Sequence, residues 1–171
     1  MGIPTQAILR TPKASPLGIE RFEPVTNDWR KPAGGLWSST HDEKISDWAR
    51  FCKSEGYCRG PKRLWLAEVD PGANVFMIDR AADLRKLYRS WTYLPGYSST
   101  TRTRYIDYEA MAAAGIDGLQ LTADGYRRLT SYRLGQDIAD GVTFASHLGC
   151  ESTVWLRWCF TSVQPGPLIR I

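Results

Sequence analysis

The fold of this chain is constrained most by its short apolar runs. Each run is as long as a strand and is followed by a turn signal or a helical pattern. In the stretch from Gly34 to Ile78, a glycine pair precedes Leu36-Trp37, and Asp70-Pro71-Gly72 separates two later runs. Pro-Gly pairs favour turns because proline presets φ and glycine accepts a positive φ. No run reaches the ~18 residues that a membrane-spanning helix needs. The pattern predicts a globular protein with several short strands.

Amphipathic helices alternate irregularly with these strands. The first predicted helix has an apolar stripe with helical spacing, formed by Ile45, Trp48, Ala49 and Cys52. Gly56 follows this stripe as a stop signal. A second helix is predicted after Asp79, and a third after Asp107, with each aspartate expected to cap its helix. The segment 124–146 shows no clear pattern.

The predicted strands combine with these helices into one α+β domain over residues 1–171. They cover residues 7–9, 36–37, 64–69, 75–78, 118–121 and 153–160. The runs 64–69 and 75–78 are expected to be a hairpin or adjacent strands, because a turn signal joins them. The regular β-α-β alternation, the GxGxxG motif and the P-loop are absent, which disfavours doubly wound nucleotide-binding folds. We expect a split, mixed or antiparallel sheet of short strands with two or three packed helices.

Composition narrows the function classes. The 171 residues carry 22 Lys and Arg against 18 Asp and Glu, and a net charge of +4 permits an anionic ligand without demanding a nucleic acid. The four cysteines form no CxxC pair and only two histidines accompany them, so free thiols and no metal site are predicted. Residues 1–13 contain no apolar signal region, so a cytoplasmic protein without a membrane partner is expected.

The segment from Lys31 to Val75 carries the functional signal. Its order is a glycine pair, a strand with an aromatic residue followed by hydroxyls, an amphipathic helix, and a strand that runs into a Pro-Gly turn. The matching pieces are Gly35-Leu36-Trp37-Ser38-Ser39, Ser46-Asp47-Trp48-Ala49-Arg50-Phe51-Cys52 and Leu64-Trp65-Leu66-Ala67-Glu68-Val69-Asp70-Pro71-Gly72. Over roughly residues 6 to 80, this order resembles the ADP-ribosyltransferase superfamily, in its poly-ADP-ribose-polymerase-like and bacterial toxin branches.

The resemblance implies an ADP-ribosyltransferase-like fold and a reaction that consumes NAD without a metal. Trp37 stands where the polymerase-like branch has a tyrosine, and it is expected to stack on the nicotinamide ring. Arg10, Gly35 and Ser39 are expected to bind the rest of NAD beside it. Arginine suits this role because its guanidinium makes charge-assisted hydrogen bonds to phosphate.

The catalytic residues implied by the resemblance are Glu151 and Ser38. The toxin branch uses Arg, then Ser-x-Ser/Thr, then Glu, and this chain has the same order of residue types. Glu151 would stabilise the oxocarbenium-like ribose that forms when the bond to nicotinamide breaks. Gly149 stands where the toxin branch usually has a second Glu or Gln, which leaves Gln120 as a rival polar residue for the cleft.

Structural roles compete with these assignments. Arg10 could be a surface residue at a strand end, and Trp37 could belong to the core. Ser38 and its two hydroxyl neighbours could cap the next helix. Glu151 could pair with a nearby arginine, Arg157.

The acceptor and the outcome of the reaction stay open at this level. A protein or nucleic-acid acceptor is expected, and the polar loop 95–104 is expected to be mobile beside the cleft, where Arg102 and Arg104 would contact it. One alternative is an NAD-degrading glycohydrolase or phosphorylase on a related fold. Another is a non-enzymatic module that binds a nucleotide, a nucleic acid or a partner protein on a degenerate transferase fold.

Overall fold

The computed structural model describes residues 2–28, 31–41, 46–56, 60–94, 104–131 and 149–170. Helices and strands alternate irregularly along these ranges. In chain order they are β1 (Gln6–Arg10), β2 (Leu36–Thr40), α1 (Asp47–Ser54), β3 (Pro61–Val69), β4 (Val75–Ile78), α2 (Ala81–Ser90), β5 (Thr92–Tyr93), β6 (Tyr105–Ile106), α3 (Tyr108–Ala113), β7 (Gly118–Leu121), α4 (Ala123–Ser131), β8 (Ser152–Trp155) and β9 (Phe160–Arg170).

Seven of these strands form one sheet in the order β4-β7-β8-β2-β1-β3-β9, and β5 pairs with β6 apart from it. Within the described sheet β4 and β7 are parallel, and the remaining neighbours are antiparallel. β1 and β2 pair at two positions, Gln6 with Thr40 and Ala7 with Ser39. The two halves of the sheet are therefore joined by a short contact. The described residues form a single α+β domain with a mixed sheet, as predicted, and they contain four α-helices where two or three were expected.

Local signals account well for the helices. The side chain of Ser46 accepts a hydrogen bond from the Ala49 N–H and caps α1, and Asp107 accepts one from the Ala110 N–H and caps α3. The predicted cap of α2 by Asp79 is wrong: the helix begins two residues later, and the Asp83 carboxylate reaches back to the Asp79 and Arg80 N–H groups. A fourth helix, α4, lies in the segment without a clear pattern.

Two strand predictions are wrong for reasons of sheet topology. β3 and β4 are not neighbours, because β1 and β9 occupy both edges of β3, and β4 pairs with β7 at the far edge of the sheet. The run 153–160 is not one strand. Its middle leaves the sheet where the N–H groups of Leu156 and Arg157 donate to the Asp117 carbonyl, and β9 begins afterwards at Phe160.

The two faces of the sheet differ in what covers them, because successive side chains of a strand point to opposite sides. We call one side the helix face; it carries Leu119 and Val154 and packs against α2, α3 and α4. The buried core of this face includes Ile78, Leu84, Leu87, Met111, Leu119, Leu121, Leu129 and Val154. We call the other side the cleft face; it carries Gln120, Thr153 and Trp155. No helix in the described ranges is long and apolar enough to cross a membrane.

Candidate functional site

A buried row of polar side chains crosses the cleft face where apolar residues would be expected. Gln120 on β7, Thr153 on β8 and Ser38 on β2 lie directly opposite one another. Gln6 on β1 lies opposite Thr40 and extends the row diagonally through its hydrogen bond with Ser38. Each of the four is at most 3% exposed. Buried polar groups cost free energy unless they are hydrogen-bonded, so such a row needs an explanation.

One half of the row is a closed structural network. The Ser38 hydroxyl accepts a hydrogen bond from Trp155 Nε1 at 2.7 Å and donates one to Gln6 Oε1 at 2.7 Å. Nε2 of Gln6 donates to the Pro4 carbonyl. This network ties β1, β2 and β8 together. It also uses the Ser38 hydroxyl both as a donor and as an acceptor, which gives this buried side chain a structural role.

The other half of the row leads to Glu151, at the start of β8. Its carboxylate accepts hydrogen bonds from the Thr40 N–H and the Thr40 hydroxyl, each at 2.9 Å, and from Gln120 Nε2 at 3.4 Å. Backbone N–H groups of a strand lie in the plane of the sheet. A carboxylate bonded to the Thr40 N–H therefore lies close to that plane, at the ends of β2 and β8.

Burial dominates the electrostatics of Glu151. The residue is 3% exposed, and desolvation raises the pKa of its carboxyl above the ordinary value, although the donors Thr40 and Gln120 oppose the shift and nearby Asp47 adds to it. Arg157 forms an ion pair with Asp117 instead. Within the described ranges no ion pair neutralises Glu151. A buried carboxylate of this kind is poised to take up a proton or to face a developing positive charge.

Glu151 lies on the wall of a cleft of about 700 Å³, a size that suits a nucleotide-sized ligand. The cleft is lined by Gly2, Ile3, Pro4, Thr40, Asp47, Arg50, Met77, Gln120, Thr122, Ala123 and Glu151. The N-terminal residues form one wall because Ile3 packs on the cleft-face core. Arg50 pairs with Asp47 at the rim and brings a guanidinium to the cleft.

A second, smaller pocket of about 270 Å³ holds the aromatic residue of the predicted site. It is lined by Leu9, Lys31, Trp37, Ser38, Trp48 and Ser152. Trp37 and Ser152 belong to the helix face, since they alternate with residues of the cleft face. Lys31 Nζ lies 5.6 Å from the centre of the Trp37 ring, within cation–π range. The larger cleft borders Thr40 at the end of β2, whereas the smaller pocket surrounds Trp37 near its start, on the other face of the sheet.

The predicted site residues lie in different parts of the structure. Glu151 and its rival Gln120 share one wall of the larger cleft and touch each other. Trp37 lies in the smaller pocket and does not line that cleft. Arg10 lies four residues along β1 from Gln6, or about 13 Å at the usual rise of a strand, and it donates to the Ser15 carbonyl. Arg10 thus lies where a surface residue at a strand end is expected.

The glycine and the second serine of the predicted site have structural contacts. Gly35 has φ +65°, and a Cβ there would lie 2.7 Å from the Trp155 carbonyl oxygen. The Ser39 hydroxyl is fully buried and accepts a hydrogen bond from the Trp48 N–H at the start of α1. That bond is the helix-capping role that the sequence left open.

Of the two predicted acceptor-binding arginines, Arg102 lies outside the described residues, as does the loop 95–103. Arg104 is exposed and donates to the Thr92 hydroxyl next to the β5–β6 pair. Sequence reasoning missed the roles of Thr40 and Gln6. Thr40 ends the hydroxyl triplet, which was a usable signal, whereas nothing local marks Gln6.

No group of three or more His, Cys, Asp or Glu side chains that could hold a metal ion occurs in the part of the chain that the structure describes. Comparison with known proteins adds no identity: no protein-family model, no curated protein and no solved structure matches this chain. The features of the chain that bear on its function are therefore the geometry around Glu151 and the residue order from Lys31 to Val75.

Proposed function

We propose that this chain is an NAD-dependent ADP-ribosyltransferase that modifies a macromolecular acceptor, with Glu151 as its catalytic residue. The observation that carries the proposal is the buried carboxylate of Glu151, which Thr40 and Gln120 hold on the wall of the nucleotide-sized cleft and which forms no ion pair with any residue of the described ranges. The residue order that resembles the superfamily supplies the reaction class.

The chemistry follows from where charge develops. The bond between ribose C1′ and nicotinamide breaks with its electron pair moving to the ring nitrogen, so nicotinamide leaves as a neutral molecule. The ribose becomes oxocarbenium-like, and a carboxylate in a water-poor site stabilises that cation more strongly than it would in water. A nucleophile of the acceptor then bonds to C1′ and gives its proton to Glu151, whose raised pKa suits a proton acceptor.

The larger cleft suggests how NAD would lie. In this proposal the nicotinamide ring lies in that cleft next to Glu151, because the ring is bonded directly to ribose C1′; Trp37 lines the smaller pocket on the helix face and is not part of this arrangement. The ribose meets Glu151 at the ends of β2 and β8. The remainder of NAD extends along the larger cleft, with its diphosphate toward Arg50 at the rim. Ser38 has a supporting role beneath this site.

The decisive assay measures nicotinamide release from NAD and transfer of a labelled ADP-ribosyl group to cell-lysate proteins and nucleic acids. Wild type is expected to release nicotinamide and label a macromolecule. Glu151→Gln keeps the side-chain shape, removes the charge and is expected to lower turnover by at least about 100-fold, in the range lost when one preorganised stabilising group is removed. Glu20→Gln changes an exposed glutamate and is the matched control.

Three results would oppose or modify the proposal. Release of free ADP-ribose without a labelled macromolecule would identify water as the acceptor and the enzyme as a glycohydrolase. Binding of NAD without turnover would favour a binding module. Equal turnover by wild type and Glu151→Gln would remove Glu151 from the chemistry.

A further inference from the structure

An unpartnered hydrogen-bond acceptor lies in the wall of the Glu151 cleft. Gln120 is 3% exposed and lines the cleft, yet its Oε1 has no hydrogen-bond partner within the described ranges. Native proteins pair nearly all of their buried polar atoms. A buried acceptor that borders a ligand-sized cleft therefore indicates that a donor arrives from the cleft.

The orientation of the Gln120 amide follows from its neighbour. An ionised carboxylate can only accept, so the amide turns its Nε2 toward Glu151, at 3.4 Å from Oε1 of that residue. The amide oxygen is thereby directed away from Glu151. Thr153 lies opposite Gln120 on β8, but its Oγ1 is also unpartnered, so it does not donate to this oxygen. On the other side, Met77 offers no donor.

Glu151 and Gln120 both line the cleft and are both 3% exposed, so their acceptor oxygens lie next to each other in the wall of the cleft. Two donors on adjacent carbon atoms match such a pair, and the vicinal hydroxyls of ribose are donors of that kind. A single hydroxyl carries one hydrogen and satisfies one acceptor. The pair therefore distinguishes a sugar with both hydroxyls from a sugar that lacks one.

We propose that Gln120 is a specificity-determining residue, whose Oε1 accepts a hydrogen bond from the 3′-hydroxyl of the reacting ribose while Glu151 engages the 2′-hydroxyl. This inference rests on the proposed function and names its substrate class: a nucleotide whose reacting sugar is a ribose with a free vicinal diol. Gln120 also positions the Glu151 carboxylate through its Nε2.

The test compares NAD with its analogue that lacks the 3′-hydroxyl of the nicotinamide ribose, in wild type and in Gln120→Met. The kcat/KM of wild type is expected to be about 3- to 10-fold lower with the analogue than with NAD, which corresponds to the loss of one neutral hydrogen bond. The factor is larger if the buried acceptor, left without a donor, also retains its full desolvation cost. Gln120→Met has no acceptor to leave unpaired, so its kcat/KM for the two substrates should agree within about twofold. Gln120→Leu carries the same expectation if the methionine variant does not fold.

Thr40→Val is the matched control. It removes the other side-chain donor to Glu151 without touching the unpartnered oxygen. Both Thr40→Val and Gln120→Met remove a bond that lowers the Glu151 pKa, so both should move the acidic limb of the pH–rate profile upward. Only Gln120→Met should abolish the discrimination between the two substrates.

The outcomes separate this inference from the proposed function. If wild type turns over NAD but Gln120→Met discriminates against the analogue as strongly as wild type does, the role of Gln120 is refuted and the proposed function stands. If wild type neither binds NAD nor releases nicotinamide from it, both are refuted. Loss of discrimination in Thr40→Val as well would assign the effect to Glu151 alone.

Discussion

Replacing Ser38 by alanine tests whether its hydroxyl serves structure or chemistry. The substitution leaves the Trp155 Nε1–H without an acceptor and Gln6 Oε1 without a donor, both inside the protein. Each unpaired buried group costs about 1–3 kcal/mol. Allowing for partial relaxation, we expect Ser38→Ala to lower the free energy of unfolding by about 2–4 kcal/mol.

Urea denaturation and thermal melting measure this loss. A domain of this size shifts its Tm by about 2–4 °C per kcal/mol, so a drop of about 5–15 °C is expected. Ser54→Ala is the control, because that hydroxyl makes an exposed bond to the Phe51 carbonyl and its removal should cost no more than about 0.5 kcal/mol.

A double-mutant cycle with Trp155→Phe identifies the source of the loss. Phenylalanine removes the donor that Ser38→Ala would orphan, so the double variant should be at least about 1 kcal/mol more stable than the sum of the single effects predicts. Additive effects, or a Ser38→Ala loss as small as that of Ser54→Ala, would refute the network. Intact stability with abolished NAD turnover would restore Ser38 as a catalytic residue.

Three further predictions concern Glu151, Gly35 and Asn27. Burial raises the pKa of Glu151 in the folded protein, so the fold favours its protonated form. This contribution to stability is complete below the ordinary glutamate pKa and is lost as pH rises through the folded pKa. Glu151→Gln should therefore gain stability relative to wild type in urea titrations as pH rises from 4 to 8, and a constant difference would contradict the shift. Gly35→Ala should lower the free energy of unfolding by at least about 2 kcal/mol, because φ is +65° and the new Cβ meets a carbonyl oxygen. Gly60→Ala is the control for the backbone cost alone, since φ there is +98° and nothing lies within 4 Å of the new Cβ. Equal losses in the two variants would disprove the contact at Gly35. Asn27→Ala should lower the free energy of unfolding by about 1–2 kcal/mol, because the Asn27 Oδ1 accepts hydrogen bonds from the Tyr108 and Glu109 N–H groups at the start of α3. A loss under about 0.5 kcal/mol in the same titration would show that Asp107 caps α3 alone.

The local elements of this protein can be predicted from residues that lie close together in the chain. The stripe that contains Ala49 and Cys52 and the cap at Asp107 lie within a few residues of the backbone groups that they order, so α1 and α3 are readable without the rest of the chain. Alternation and turn signals likewise located most strands. The candidate polar residues of the cleft could also be predicted, because Glu151 and Gln120 each lie at a strand-like run.

Which of these residues come into contact depends on strand pairing between distant parts of the chain. Thr40 and Glu151 are 111 residues apart, and Ser38 and Trp155 are 117 residues apart. Whether β4 pairs with β3 or with β7 depends on which strand edges remain free, and no local pattern encodes that. The same pairing register sends Gln120 and Thr153 to one face of the sheet and Trp37 to the other, since neighbouring positions of a strand point to opposite sides.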